Sequence, residues 1–265
     1  MNAIVRRLSV AGVAVALCAA CGGGAEDGSQ TAETAAEQPS PVTDTSPSAG
    51  YTVVDVADGG RIQGVVRFRG APPPPRTIAV EDNAEACGVS QAVQPVKIGT
   101  DAGLANVVVS LVDITRGVAL AAETPLTLDQ RGCRFIPHVL LAPVGQAVHV
   151  LNSDPLTHNV HTAAFDNRSV NRTQPASAGA MELTFDMPEK VGVRCDIHPW
   201  MDAWIAVIDH PYHAITNEAG AFALDDIPPG TYTLEFWHET LGSRTQSVSV
   251  SAGQSTNANI ELTQQ

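Results

Sequence analysis

From residue 61 onward the chain is a succession of short alternating apolar and polar runs cut by glycine and proline. Residues 61–70 alternate with the two-residue period of a strand, with Ile62, Val66 and Phe68 as apolar positions, and the four prolines of 71–75 then impose an extended turn region. Residues 104–112, dense in β-branched Val107, Val108, Val109 and Val112, predict another strand. Further strands are expected at 135–141 and 146–152, either side of a turn at 143–145, and at 181–186, 191–194 and 204–208. Residues 166–179 read as a loop. In the tail, 216–224 and 227–234 give strand, turn and strand, with Gly220, Pro228, Pro229 and Gly230 at the turns. The single helical hint is a turn at 81–86. With 22 Gly, 18 Pro and 16% charged residues in 265, the composition favours many turns over long helices, and the expected class is all-β.

The first sixty residues differ. Arg6 and Arg7 precede an apolar run at 8–17, too short to span a bilayer and patterned as an export signal. Small residues before Cys21 resemble a bacterial lipoprotein signal, which implies a signal peptide at 1–20, a lipid on Cys21 and an exported, membrane-anchored chain in the periplasm or at the cell surface. The alternative is an ordinary cleaved signal. Residues 22–50 hold almost no large apolar residue, and 21–60 is expected to be a disordered linker. Loss of 1–20 removes two arginines and no acid, moving the formal charge from -13 to -15. That charge excludes nucleic acid as a partner and suits a basic protein partner.

The densest chemistry lies at Cys195-Asp196-Ile197-His198-Pro199-Trp200-Met201, where a thiol, an imidazole and a thioether recur at three-residue intervals between two expected strands. Soft sulfur and imidazole together suit a redox-active copper, and His158 is the candidate for a second imidazole. Beyond Cys18 and Cys21, Cys87, Cys133 and Cys195 allow three pairings; the reading adopted pairs Cys87 with Cys133 and keeps Cys195 for metal. His161 is expected on the face opposite His158, and His138 and His149 in ordinary strand positions. His210, His213 and His238 with Glu239 form a looser second metal possibility. Asn167 and Asn171 head glycosylation-type triplets that are expected to be coincidental in a chain with a bacterial-type lipoprotein signal.

Residues 118–209 resemble a cupredoxin of the amicyanin and plastocyanin kind, through His158-Asn159-Val160, the strand pair before it and the C-x-x-H-x-x-M loop. The resemblance implies a Greek-key sandwich holding type 1 copper, Cu(II)/Cu(I), on His158, Cys195, His198 and Met201. It further implies that Asn159 ties the ligand loops together, while Pro199 and Trp200 stiffen the loop and frame an exposed edge of His198 as a docking patch. The tail, with its Gly and Pro turns, resembles a carboxypeptidase regulatory-like, transthyretin-like β-sandwich of the carbohydrate-binding-like class. Residues 61–117 with 210–262 are expected to form that sandwich, with the copper domain at 118–209 inserted and the disulfide clamping the two; one enlarged sandwich is the competing arrangement.

The expected function is one-electron transfer with a redox protein partner, not enzymatic catalysis, since four ligands leave no open position. The alternatives are a cell-surface module binding glycan or protein, and copper delivery or storage.

Overall fold

The computed structural model describes residues 50–122 and 125–264; the expected signal, Cys21 and most of the linker lie outside them. The described residues belong to one compact unit that is almost entirely β. Apart from two small two-stranded pairings, their strands sort into two sandwiches with separate cores.

The first sandwich combines the two ends of the described chain. One sheet orders His213–Ile215, Val108–Val112, Gly230–His238 and Gly242–Val250; the other sets Gly60–Phe68 between Ala221–Ile227 and the short Ser255–Asn257 and Ile260–Leu262. Ile62, Val66, Val109, Leu111, Leu234 and Phe236 fill its core, as the alternation of their strands requires. The second sandwich uses residues 127–208. Its four-stranded sheet orders Met181–Leu183, Val148–Asn152, Thr127–Gln130 and Phe135–Ile136. Its five-stranded sheet orders Asn171–Gln174, His158–Ala163, Glu189–Arg194, Asp202–Ile208 and Val139–Pro143.

The strand Asp202–Ile208 explains how the sandwiches meet. Ala203, Ile205 and Val207 point into the second core, while Trp204 and Ala206 point outward to Val108, Ile215 and Trp237 of the first sandwich. Trp204 and Trp237 meet edge to face at 5.0 Å, and Lys190 Nζ lies 2.8 Å from Glu235 Oε2. A strand buried on both faces needs a nearly continuous apolar run, which residues 203–208 supply.

Three expectations change. The linker does not extend to residue 60: Tyr51 is buried, its hydroxyl donates to Val118 O, and Thr52–Val53 pairs in parallel with Arg116–Gly117. The expected loop at 166–179 contains the strand Asn171–Gln174, a polar edge strand with little hydrophobic signal. Residues 76–93, assigned by sequence to the first sandwich, form a hairpin, Arg76–Ala79 with Ser90–Val93, around a helical turn at Ala84–Cys87. This excursion packs Val80 and Cys87 onto the second core, and Cys87 is disulfide-bonded to Cys133 there.

Gly220 shows how closely the tail turn is fitted. Its φ is +73°, its carbonyl accepts from Val66 N–H, and an added Cβ would sit 2.1 Å from Val66 O. Asn217 Oδ1 closes the same turn by accepting from the N–H groups of Ala219 and Ala221. Gly220→Ala is expected to cost more than about 1 kcal/mol of unfolding free energy, read from the urea midpoint; an unchanged midpoint would contradict the placement of this turn.

Candidate metal centre

Three donors meet at one end of the second sandwich. His158 begins its strand, and Cys195 and His198 lie on the loop joining Glu189–Arg194 to Asp202–Ile208. His158 Nδ1 is 3.0 Å from His198 Nδ1, and Cys195 Sγ is 3.6 Å from the same nitrogen. Bonds near 2 Å to one ion require donors roughly 3–4 Å apart, so the spacing fits a shared metal. All three residues are buried, at 0%, 2% and 2% exposure, so water does not compete for the donors.

The loop is closed by its own backbone. Cys195 N–H donates to Met201 O, and Met201 N–H donates to His198 O. Met201, 1% exposed, is packed in the core that surrounds the three donors. Asn159 joins the two ligand segments: its backbone N–H donates to Cys195 Sγ at 3.3 Å, and its side-chain Oδ1 accepts from Asp196 N–H.

Asp154 fixes the tautomer of His158. Its Oδ2 lies 2.8 Å from His158 Nε2, and the carboxylate is itself held by the N–H groups of Gly132 and Cys133. His158 therefore carries its proton on Nε2 and turns the Nδ1 lone pair toward His198 and Cys195. For His198, burial first and the neighbouring His158 second push the pKa down, against a smaller opposing effect of Asp154, so its imidazole is neutral at neutral pH and able to act as a donor. Hydrogen bonding alone satisfies the imidazole pair only if His198 holds its proton on Nδ1; a metal ion takes that proton's place.

The expected exposed edge of His198 is not found. Asn83, from the excursion at 76–93, places its amide 3.4 Å from His198 Nε2, and the ring is covered. Trp200 is buried too: its centroid is 5.2 Å from that of His198, and its indole N–H donates to Cys133 O. The disulfide ties this cover to the sandwich beside the donors. Cys133 Sγ lies within 4.8 Å of the Asp154 and His158 donors, but as a disulfide sulfur it offers no thiolate. His161 faces outward to Asp196 and Arg194. The rings of His210 and His213 lie tilted against each other at 4.3 Å and line a different recess, with Glu235, from the one lined by His238 and Glu239, so the four do not form one cluster.

Asp154 and Asn83 escaped the reading of the sequence. The signal for Asp154 is its place four residues before His158 in a Ser153-Asp154-Pro155 turn; nothing local marks Asn83.

Among known proteins, the family model of the carboxypeptidase regulatory-like domain matches residues 199–263. No curated protein matches the chain. Similar solved structures include a copper-containing nitrite reductase from Thermus scotoductus SA-01, 25% identical over 35% of this chain with a TM-score of 0.30; the matched part spans 25% of that protein's length. A reduced amicyanin variant is 23% identical over 33% of this chain and 86% of its own, with a TM-score of 0.30. A purple cupredoxin from Nitrosopumilus maritimus is 26% identical over 28% of this chain and 81% of its own, with a TM-score of 0.24. Donor geometry, not these likenesses, carries the functional reading.

Asp154→Asn is expected to lower Cu(I) affinity by about 10- to 100-fold in chelator competition, because the His158 tautomer is no longer fixed. Unchanged affinity would remove Asp154 from the centre.

Proposed function

We propose that the chain is a one-electron carrier in which His158, Cys195 and His198, with Met201 packed beside them, would hold copper. The observation that supports this reading is the buried convergence of two imidazole Nδ1 atoms and one cysteine sulfur, with Asp154 presetting the His158 lone pair. A thiolate and two imidazoles in one dry site, with the Met201 thioether in the core beside them, would select copper over harder ions. When bound, copper supplies the Cu(II)/Cu(I) couple. The residues contribute the rest: Cys195 donates its sulfur under the Asn159 N–H, the histidines donate unprotonated Nδ1, and the surrounding core excludes water and substrates. The closed donor set favours electron transfer over catalysis.

The export signal and Cys21 support an exported, lipid-anchored carrier in the periplasm or at the cell surface, and the net charge of -13 suits a basic redox partner. The carboxypeptidase regulatory-like segment acts in this reading as a brace for the ligand sheet.

The deciding experiment is absorption and electron paramagnetic resonance of the purified chain with one equivalent of Cu(II). An intense visible band with narrow copper hyperfine splitting is expected. Cys195→Ser is expected to abolish the band, and Met201→Gln to keep it while shifting the reduction potential. A metal-loaded protein that is colourless and silent for Cu(II) would overturn the proposal, and facile copper transfer without reversible redox cycling would move it to copper delivery.

A further inference from the structure

A second group of donors lies where the two sandwiches meet, one residue beyond the ligand loop. His138 Nε2 is 2.7 Å from Glu239 Oε1, and His138 Nδ1 is 3.9 Å from Asp202 Oδ2. One donor atom from each of the three residues falls within 4.8 Å of the others. The group lines a cavity of about 600 Å³, together with Trp200 and Met201. His138 comes from the bend before Val139–Pro143, Asp202 opens the strand after the ligand loop, and Glu239 follows Gly230–His238 in the other sandwich.

Two features set this group apart from a surface ion pair. Glu239 is largely buried, with a side chain 15% exposed, and its Oε2 is wholly buried with no hydrogen-bond partner among the described residues. A buried carboxylate oxygen with no partner costs free energy unless a cation or donor meets it. Asp202 brings a second carboxylate to the same imidazole. Of the cations that line the cavity, Lys97 pairs with Glu218, Arg134 bonds Gln91 Oε1 and Ala92 O while its charge still reaches Asp202, and Arg76 lies on the same wall; none is hydrogen-bonded to Glu239 Oε2. His238, beside Glu239, accepts from Thr240 N–H at Nδ1 and so stands neutral, adding no positive charge to repel an ion.

We propose that His138, Asp202 and Glu239 form a second metal site, for a borderline divalent ion such as Zn(II) or Cu(II). One imidazole and two carboxylates are nitrogen and oxygen donors of the kind such ions take, and three protein ligands leave positions for water from the cavity. The two centres thus differ in kind: the first is closed and sulfur-bearing, the second open and free of sulfur. The inference does not depend on which metal the first centre holds. Placed next to Met201, a bound divalent charge acts on the first centre electrostatically.

The test is a titration of the full-length protein with Co(II), followed by absorption, and in parallel with Zn(II), followed by calorimetry. Cobalt on Cys195 shows a thiolate charge-transfer band, whereas cobalt at the second site shows only weak d–d bands, so the two sites are read separately. One equivalent without the thiolate band is expected, retained in Cys195→Ser and weakened at least about tenfold in Glu239→Gln and His138→Ala. The isosteric Glu239→Gln serves if His138→Ala does not fold. Absence of a thiolate-free equivalent, or one bound equally tightly by Glu239→Gln, would overturn the proposal. Loss of the thiolate band alone would count against the first centre and leave the second standing.

Discussion

The antiparallel pairing of Glu189–Arg194 with Asp202–Ile208 is the constraint on which the candidate centre depends. Arg194 pairs with Asp202, so the loop between them, residues 195–201, has both ends fixed. Its two internal backbone bonds then leave Cys195 and His198 little freedom. The neighbouring strand fixes the remaining donor, since His161 pairs with Arg194 and His158 lies three residues earlier. Because side chains alternate across a sheet, a one-residue slip in either pairing would send a ligand to the other face. The geometry of the site is therefore set by sheet register.

Register is secure where both faces of a strand are buried. Around Asp202–Ile208 the inward set, Ala203, Ile205 and Val207, fills one core, while Trp204 and Ala206 fit against the other sandwich. Gly192 lies cross-strand from Trp204, and its backbone packs under the indole, which would stand in ordinary contact at 3.5 Å from an added Cβ. The first sandwich thus contributes through contact: it covers the outer face of the ligand sheet and braces it. Sites held on rigid, doubly packed elements keep their donor positions better than sites on free loops.

The all-β class was legible because alternation and turn residues are local signals. The ligand loop was legible for a related reason: Cys195, His198 and Met201 recur at fixed spacing within seven residues. What the sequence hid depends on long-range contact. Glu239 meets His138 across 101 positions and Asn83 meets His198 across 115, and neither is marked by its neighbours. Strands with few apolar positions were also missed, notably Asn171–Gln174 and Gly242–Val250, which are held mainly by pairing to stronger neighbours. The expected exposed edge of His198 failed because the covering excursion comes from more than a hundred residues upstream.

That cover bears on how a carrier of this design would work. An imidazole 2% exposed offers no direct face to a partner, so electrons would pass through the atoms that lie over it, Asn83 first among them. The cover is joined to the rest of the site by the Cys87–Cys133 disulfide, and Cys133 in turn receives the Trp200 indole N–H and donates its own N–H to Asp154. Lid, loop and tautomer-fixing carboxylate are thereby linked through one residue. The shell around a metal controls solvent access and dielectric, and with them the redox potential. Cys133 is accordingly the point where a change outside the donor set would reach all of them: loosening the disulfide would admit water over His198 and disturb the hydrogen bond that holds Asp154 against His158.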